Sequence, residues 1–241
     1  MTNNKLTILV VGPPNSGKST CLRNLKNRSS WVYLNTDNKD LPIAGANAFL
    51  KNVTVDNPLN MLSYIPQLSE SPKVEGVVLD TITYLMNQYE RKLVATAKDT
   101  QKAWGSYATF YGNLMELMKH STKPFVIMAH EKKTLNESLM QYESEIPVKG
   151  SVGKLGVSAD FTIVVTAKQM LVTKLAEYAN PLLTITDAER KKGIKYVFQT
   201  GINADSLGEL TRAPLGMFSD DEMYIDNDIQ LVIDRAIKFY S

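Results

Sequence analysis

The sequence predicts an α/β fold with a mainly parallel central sheet and helices on both faces. Three observations carry this. Apolar runs of strand length alternate with segments of helical period along most of the chain. A glycine-rich turn ending in Gly-Lys-Ser follows the first of those runs. Of the 241 residues, 44% are hydrophobic, enough for one sizeable core and short for two, so residues 1–241 are read as one domain.

The strand-length runs are Leu6 to Val11, Trp31 to Leu34, Val74 to Leu79, Pro124 to Met128, Phe161 to Val165 and Tyr196 to Phe198. Helical segments fall between them. One follows Gly17 over Thr20 to Asn27, another starts at Leu59 after Asn57-Pro58, and a third fills Ile82 to Ala97. Tyr107, Phe110, Tyr111, Leu114, Leu117 and Met118 form one apolar stripe, as expected of a helix facing a core. A last helix from Asp228 presents Ile229, Val232, Ile233, Ala236, Ile237 and Tyr240 to the body. Strands alternating with helices imply a ligand at the carboxyl ends of the strands. Two segments break the rhythm and read as loops or insertions: 131–160, with Gly150, Gly153 and Gly156, and 168–195, with a helix or two before a strand.

Composition narrows the partners. A net charge of +2 gives no surface-wide field for nucleic acid, so any such contact must come from a local patch. Met1 to Lys5 is polar, with no apolar targeting segment or long apolar span after it, so a cytoplasmic protein without a membrane anchor is expected. The single cysteine, Cys21, cannot form an internal disulfide and reads as a small buried hydrophobe.

The chemistry lies in Gly12-Pro13-Pro14-Asn15-Ser16-Gly17-Lys18-Ser19, which matches G-x-x-x-x-G-K-[ST] between a strand and a helix. Glycines at both ends let the backbone bend around phosphate oxygens without a Cβ in the way. Lys18 is placed to reach the β- and γ-phosphates of ATP, the Ser19 hydroxyl to ligate Mg²⁺, and Thr20 to continue the cradle into the helix. The buried run Gly76 to Leu79 ends in Asp80, the second carboxylate-bearing element such a site needs for Mg²⁺ or its water. ATP and Mg²⁺ are therefore the expected cofactors, with Ser19 and Asp80 as metal residues.

Further residues extend the pattern. Trp31-Val32-Tyr33-Leu34-Asn35-Thr36-Asp37 resembles the RecA-class strand ending in the carboxylate that activates the attacking water. Asp80-Thr81-Ile82-Thr83 resembles that class's metal-binding strand end, and Phe125 to Glu131 its γ-phosphate-sensing strand. Pro147 to Asp160 looks like the return from a DNA-binding loop, and Tyr196 to Thr200 with Leu210-Thr211-Arg212 like its terminal strands. The resemblance runs from about Lys5 to Phe218. It points to a RecA-like P-loop NTPase, close to the short bacteriophage recombinases of the Sak single-strand annealing group, in the host cytoplasm if phage-encoded. It implies an ATPase acting on single-stranded DNA in recombination, replication or repair, as a homo-oligomer with ATP at subunit interfaces. It makes Lys18, Asp37, Asp80, His130 and Arg212 the catalytic set, with Asp40 the alternative to Asp37, His130 a γ-phosphate sensor and Arg212 a cation acting on a neighbour's ATP.

Two local patches are candidates for DNA: Arg91, Lys92, Lys98 and Lys102 with Trp104 and Tyr107, and Arg190, Lys191, Lys192 and Lys195. The 131–160 segment is not basic in balance. Two alternatives stay open. One is a nucleoside or nucleotide kinase, for which Arg190 would be the candidate lid arginine. The other is a non-hydrolysing, ATP-gated adaptor such as a helicase loader.

Overall fold

The computed structural model describes residues 6–241; the polar stretch Met1 to Lys5 lies outside the described residues. Strand β1 (Thr7–Gly12) is buried on both faces, as a central parallel strand must be. It is followed by a 3₁₀ stretch over Ser19–Asn24 and by β2 (Trp31–Asn35), β3 (Lys51–Thr54), α1 (Met61–Glu70) and β4 (Gly76–Asp80). Then come α2 (Ile82–Tyr89), α3 (Thr100–His120) and β5 (Phe125–His130). A hairpin of β6 (Lys132–Asn136) and β7 (Gln141–Glu145) precedes α4 (Gly150–Leu155) and β8 (Ile163–Leu171). The chain closes with α5 (Val172–Leu175), α6 (Asp187–Lys192), β9 (Ile194–Gln199), β10 (Tyr224–Asp226) and α7 (Ile229–Tyr240).

Among the described residues, eight strands form one sheet in the order β10-β9-β8-β1-β5-β4-β2-β3. It is parallel from β3 to β8, whereas β9 runs antiparallel to β8, and β10 to β9. Side-chain alternation divides the core. Leu9 and Val11 pack with α1, α2 and α3 on one face; Ile8 and Val10 pack with Cys21, Leu22 and the apolar stripe of α7 on the other. The expected α/β architecture is thus present, and the carboxyl ends of β1, β2, β4, β5 and β8 share one edge. Because β9 is antiparallel, its first residues reach that same edge. Among the described residues no helix is long and apolar enough to cross a membrane.

Several expectations need correction. The helix expected over Thr20 to Asn27 is a 3₁₀ stretch ending at Asn24, so its end contributes little dipole to a ligand. The helix expected over Ile82 to Ala97 stops at Tyr89 and continues as one wide π turn over Glu90–Val94. Segment 131–160 is an ordered hairpin plus helix. Gly153 meets a steric need there, since a Cβ would lie 1.8 Å from the Val148 carbonyl oxygen. Residues 168–171 extend β8 rather than belonging to an insertion; Lys168 and Gln169 are polar and escaped a reading keyed to apolar runs. Leu210-Thr211-Arg212 forms only an isolated bridge, Arg212 to Val164. Strands β3 and β10 had no apolar run long enough to announce them: one is largely exposed, the other three residues long.

Two glycines separate packing from propensity. At Gly76 a Cβ would stand 2.5 Å from the Trp31 ring, so Gly76→Ala should cost about 1–3 kcal/mol in urea unfolding. Gly112 is exposed on α3 with nothing within 4 Å, so Gly112→Ala should gain about 0.5–1 kcal/mol. Equal effects at the two positions would refute this account.

Candidate nucleotide site

The glycine-rich turn is built by backbone demands. Gly17 has φ +91° and Asn15 φ +62°, while a Cβ on Gly12 would lie 2.5 Å from the Ala167 carbonyl oxygen on β8. Only glycine lets the end of β1 lie so close to its neighbour. Residues Pro14 through Thr20 line a cavity of 860 Å³, within the range of small-molecule sites. Gly12 and Pro13 act differently: their carbonyl oxygens each accept a 2.8 Å hydrogen bond from Lys18 Nζ. Burial pulls the Lys18 ammonium down to about 8, with Asp80 and then Glu131 opposing that fall. Ser16 lines the cavity, and its buried hydroxyl has no hydrogen-bond partner among the described residues, which leaves it a donor to spare.

Asp80 lies within the field of Lys18. Its Oδ2 accepts 2.8 Å hydrogen bonds from Ser19 Oγ and Tyr33 Oη, so the glycine-rich turn, β2 and β4 meet at one oxygen. Burial raises the Asp80 carboxyl above its ordinary value, against those two hydrogen bonds. The following backbone is clamped: Thr36 N donates to Asp80 O at 2.9 Å, and Thr81 N donates to Thr36 Oγ1 at 2.8 Å. Ser19 and Asp80 together offer adjacent hard oxygens. Among the described residues no group of three or more His, Cys, Asp or Glu side chains gathers. That donor set fits Mg²⁺, which takes one or two protein oxygens and fills its octahedron with phosphate and water.

The other singled-out residues divide cleanly. Asp37, Asp40 and His130 line the same cavity. Asp37 pairs with Lys39 at 3.5 Å, and Lys39 also lies over the Tyr84 ring. His130 closes β5, donates its backbone N–H to Thr83 Oγ1 at 3.0 Å and meets Tyr84 edge to face. Burial, then the charges of Lys18 and Lys39, lower its imidazole to about 4, so it is neutral at pH 7. Arg212 stands outside the cavity, with Nη2 donating to Ser158 O at 2.9 Å. Cys21 is fully buried, and burial pushes its thiol up, which makes it inert. Sequence reading missed Arg23, Tyr33, Lys39, Glu189 and Tyr196 as cavity residues. Tyr33 and Tyr196 lay in plain view within apolar runs, and Arg23 in the segment after the turn; Lys39 and Glu189 belong to segments whose placement only the fold reveals.

The proposed DNA patches fare differently. Tyr107 is buried and packs edge to face against Trp104, which Gly150 in turn approaches, so that pair belongs to the core and not to a stacking platform. Lys195 is also buried, in ion pairs with Glu189 and Asp226. Arg190, Lys191 and Lys192 remain at the surface end of α6.

Asp80 sets a stability test. Because its folded-state pKa is raised, the ionised carboxylate disfavours folding at neutral pH, and that penalty disappears as pH falls through the folded value. Asp80→Asn should therefore unfold, without ligand at pH 7, at a urea midpoint no lower than wild type. A markedly lower midpoint would show that the charge is needed for folding.

Comparison with known proteins follows this geometry. Residues 4–200 match the AAA domain family (AAA_24). No curated protein matches the chain. Among solved structures, the RadB recombinase is 15% identical, covering 68% of this chain and 75% of its own, with a TM-score of 0.38. A KaiC-like protein from the hyperthermophilic archaeon Pyrococcus horikoshii OT3 is 11% identical, covering 92% and 89%, with a TM-score of 0.41. The family match spans most of the chain, and the glycine-rich turn on a mainly parallel sheet is the RecA-like P-loop NTPase fold that the sequence predicts. The chain belongs to the AAA domain family of nucleotide-binding P-loop proteins.

Proposed function

We propose that this chain is a single ATPase domain that binds ATP with Mg²⁺, hydrolyses it, and couples that cycle to single-stranded DNA in recombination, replication or repair. The observation that carries the nucleotide part is the contact of Ser19 with Asp80 within the field of Lys18, all three lining an 860 Å³ cavity. Lys18 would exchange its two loop carbonyls for phosphate oxygens, and Ser19 and Asp80 would hold the metal. When bound, Mg²⁺ supplies charge neutralisation on the phosphate oxygens. Asp37, or Asp40 beside it, would orient the attacking water, and neutral His130 would hydrogen-bond at the terminal phosphate without adding charge.

The DNA part rests on the resemblance and on one structural feature. The hairpin β6–β7 follows His130 directly and presents Leu135 and Tyr142 as an exposed cross-strand pair, a surface on which bases can stack. Assembly with ATP at subunit boundaries gives Arg212 its role, since it lies outside its own chain's cavity. The kinase reading is less favoured: of the arginines, Arg23 alone is among the described residues lining the cavity, and Arg190 is not. Kinases commonly clamp the transferring phosphate with several arginines.

Steady-state ATP hydrolysis, with and without single-stranded DNA at two salt concentrations, tests the proposal, with Lys18→Ala as blank. Stimulation that fades with salt and is lost in the variant is expected. Flat background turnover would refute the ATPase. Nucleotide affinity gives a second test. The ammonium form of Lys18 pairs with phosphate, and bound phosphate raises its pKa, so ATP affinity should hold below pH 8 and fall above it by up to about tenfold per pH unit. Lys18→Arg, charged throughout, should abolish that fall; a pH profile identical to wild type would assign the titration elsewhere.

A further inference from the structure

The cavity has two ends, and sheet order defines them. The glycine-rich turn closes β1; Asp80 and His130 end β4 and β5 on one side, while β8 and β9 lie on the other. Strands lie about 4.8 Å apart, so β4 and β9 are separated by about 19 Å, a span suited to a nucleotide laid across the edge. If the terminal phosphate faces Asp80 and His130, as proposed above, the nucleoside must extend toward β8 and β9.

That side is walled by a ribbon. β8 and β1 stop pairing at Thr166 and Val11, but β8 runs on to Leu171 with β9 still paired to it. The extension rises beside the turn and carries Tyr196 directly opposite Gln169. Gln169 Nε2 donates to Tyr196 Oη at 2.9 Å and to the Asn15 carbonyl at 2.9 Å, locking the phenol to the turn. The ring also packs on Gly17, where a Cβ would lie 3.0 Å from Tyr196 Cδ1. Arg23 lines the same cavity one turn after Thr20, held through Nη1 by the Asn227 carbonyl at 2.7 Å. The result is an immobilised aromatic face and an anchored planar cation, set apart from the reacting groups.

We propose that Tyr196 is the stacking platform for the base of the bound nucleoside triphosphate, with Arg23 as its cationic neighbour. This rests on the nucleotide reading above and deepens it. The ring supplies a π face that any base accepts and that tripolyphosphate cannot use. Affinity for a whole nucleotide should thus depend on Tyr196, and affinity for its phosphate chain should not.

The experiment compares ATP and inorganic tripolyphosphate, each with Mg²⁺, by calorimetry on the full chain. Wild type should bind both. Tyr196→Ala should weaken ATP by about 10- to 100-fold and leave tripolyphosphate within twofold. Tyr196→Phe, which keeps the ring and loses the hydroxyl bond to Gln169, should recover most of the ATP affinity. Unchanged ATP affinity in Tyr196→Ala would overturn the stacking role. Equal loss of both ligands would overturn it too, because Tyr196 would then only buttress the turn. A wild-type chain that binds neither ligand would instead remove the nucleotide reading itself, and the platform with it.

Discussion

A single buried carboxylate oxygen organises this molecule. Asp80 Oδ2 takes hydrogen bonds from the glycine-rich turn through Ser19 and from β2 through Tyr33, and it sits at the end of β4. A carboxylate removed from water is costly, and two hydroxyl donors meet only part of that cost, which is why its pKa remains raised. The geometry around it is accordingly over-determined. Thr36 and Thr81 tie the ends of β2 and β4 together just beyond it, and Gln88 donates to the Thr36 carbonyl from α2. Lys18 lies in the same field, its ammonium supported by Asp80 and Glu131 and weakened by its burial. A cation and an anion are thus each kept under-compensated, side by side. The ligands proposed above, a polyphosphate and a divalent metal, would satisfy them together.

The second constraint is strand polarity. Parallel strands deliver their carboxyl ends to one edge, and this gives Asp37, Asp80 and His130 a common cavity despite their separation in sequence. One antiparallel strand then brings a residue of very different chain position, Tyr196, to that edge from the other direction. The ribbon it forms with β8 is fixed to Glu209 on its opposite side, where Lys168 donates to both carboxylate oxygens. Lys133, from the hairpin, binds the same Glu209. One acidic side chain therefore joins the cavity wall to the hairpin.

How much of this was legible follows from range. The fold class was, because central strands buried on both faces write their burial as continuous apolar runs, and the α7 and α3 stripes wrote theirs as helical period. The glycine-rich turn was legible because its chemistry is local: eight consecutive residues bend, donate and cradle. Edge strands were not, since β3 keeps most of its residues in solvent and β10 spans three. Nor was the β8–β9 ribbon. Its pairing depends on contacts some 27 residues apart, and its polar residues answer to the cavity rather than to the core. Trp104 misled for a related reason: a basic, aromatic helix face looks like a stacking surface until α4 is found packed against it.

The hairpin shows where these constraints lead. Glu131 N donates to the Gly12 carbonyl, the oxygen that also receives Lys18, and Ser144 from β7 closes on the Glu131 carboxylate at 2.5 Å. The residue that leads into the hairpin is therefore bonded to the first residue of the turn. In the proposed nucleotide-bound state Lys18 would leave that carbonyl for a phosphate, and the Glu131 N–H would remain as a donor on Gly12 O. His130, one residue earlier, lines the same cavity and has its own N–H on Thr83. A change at the terminal phosphate would thus bear on both ends of the His130-Glu131 peptide, through hydrogen bonds of 3.0 and 3.1 Å and no intervening loop. The exposed Leu135–Tyr142 pair lies only a few rungs further along the same hairpin. The coupling proposed between nucleotide state and that surface would need no further element of the fold.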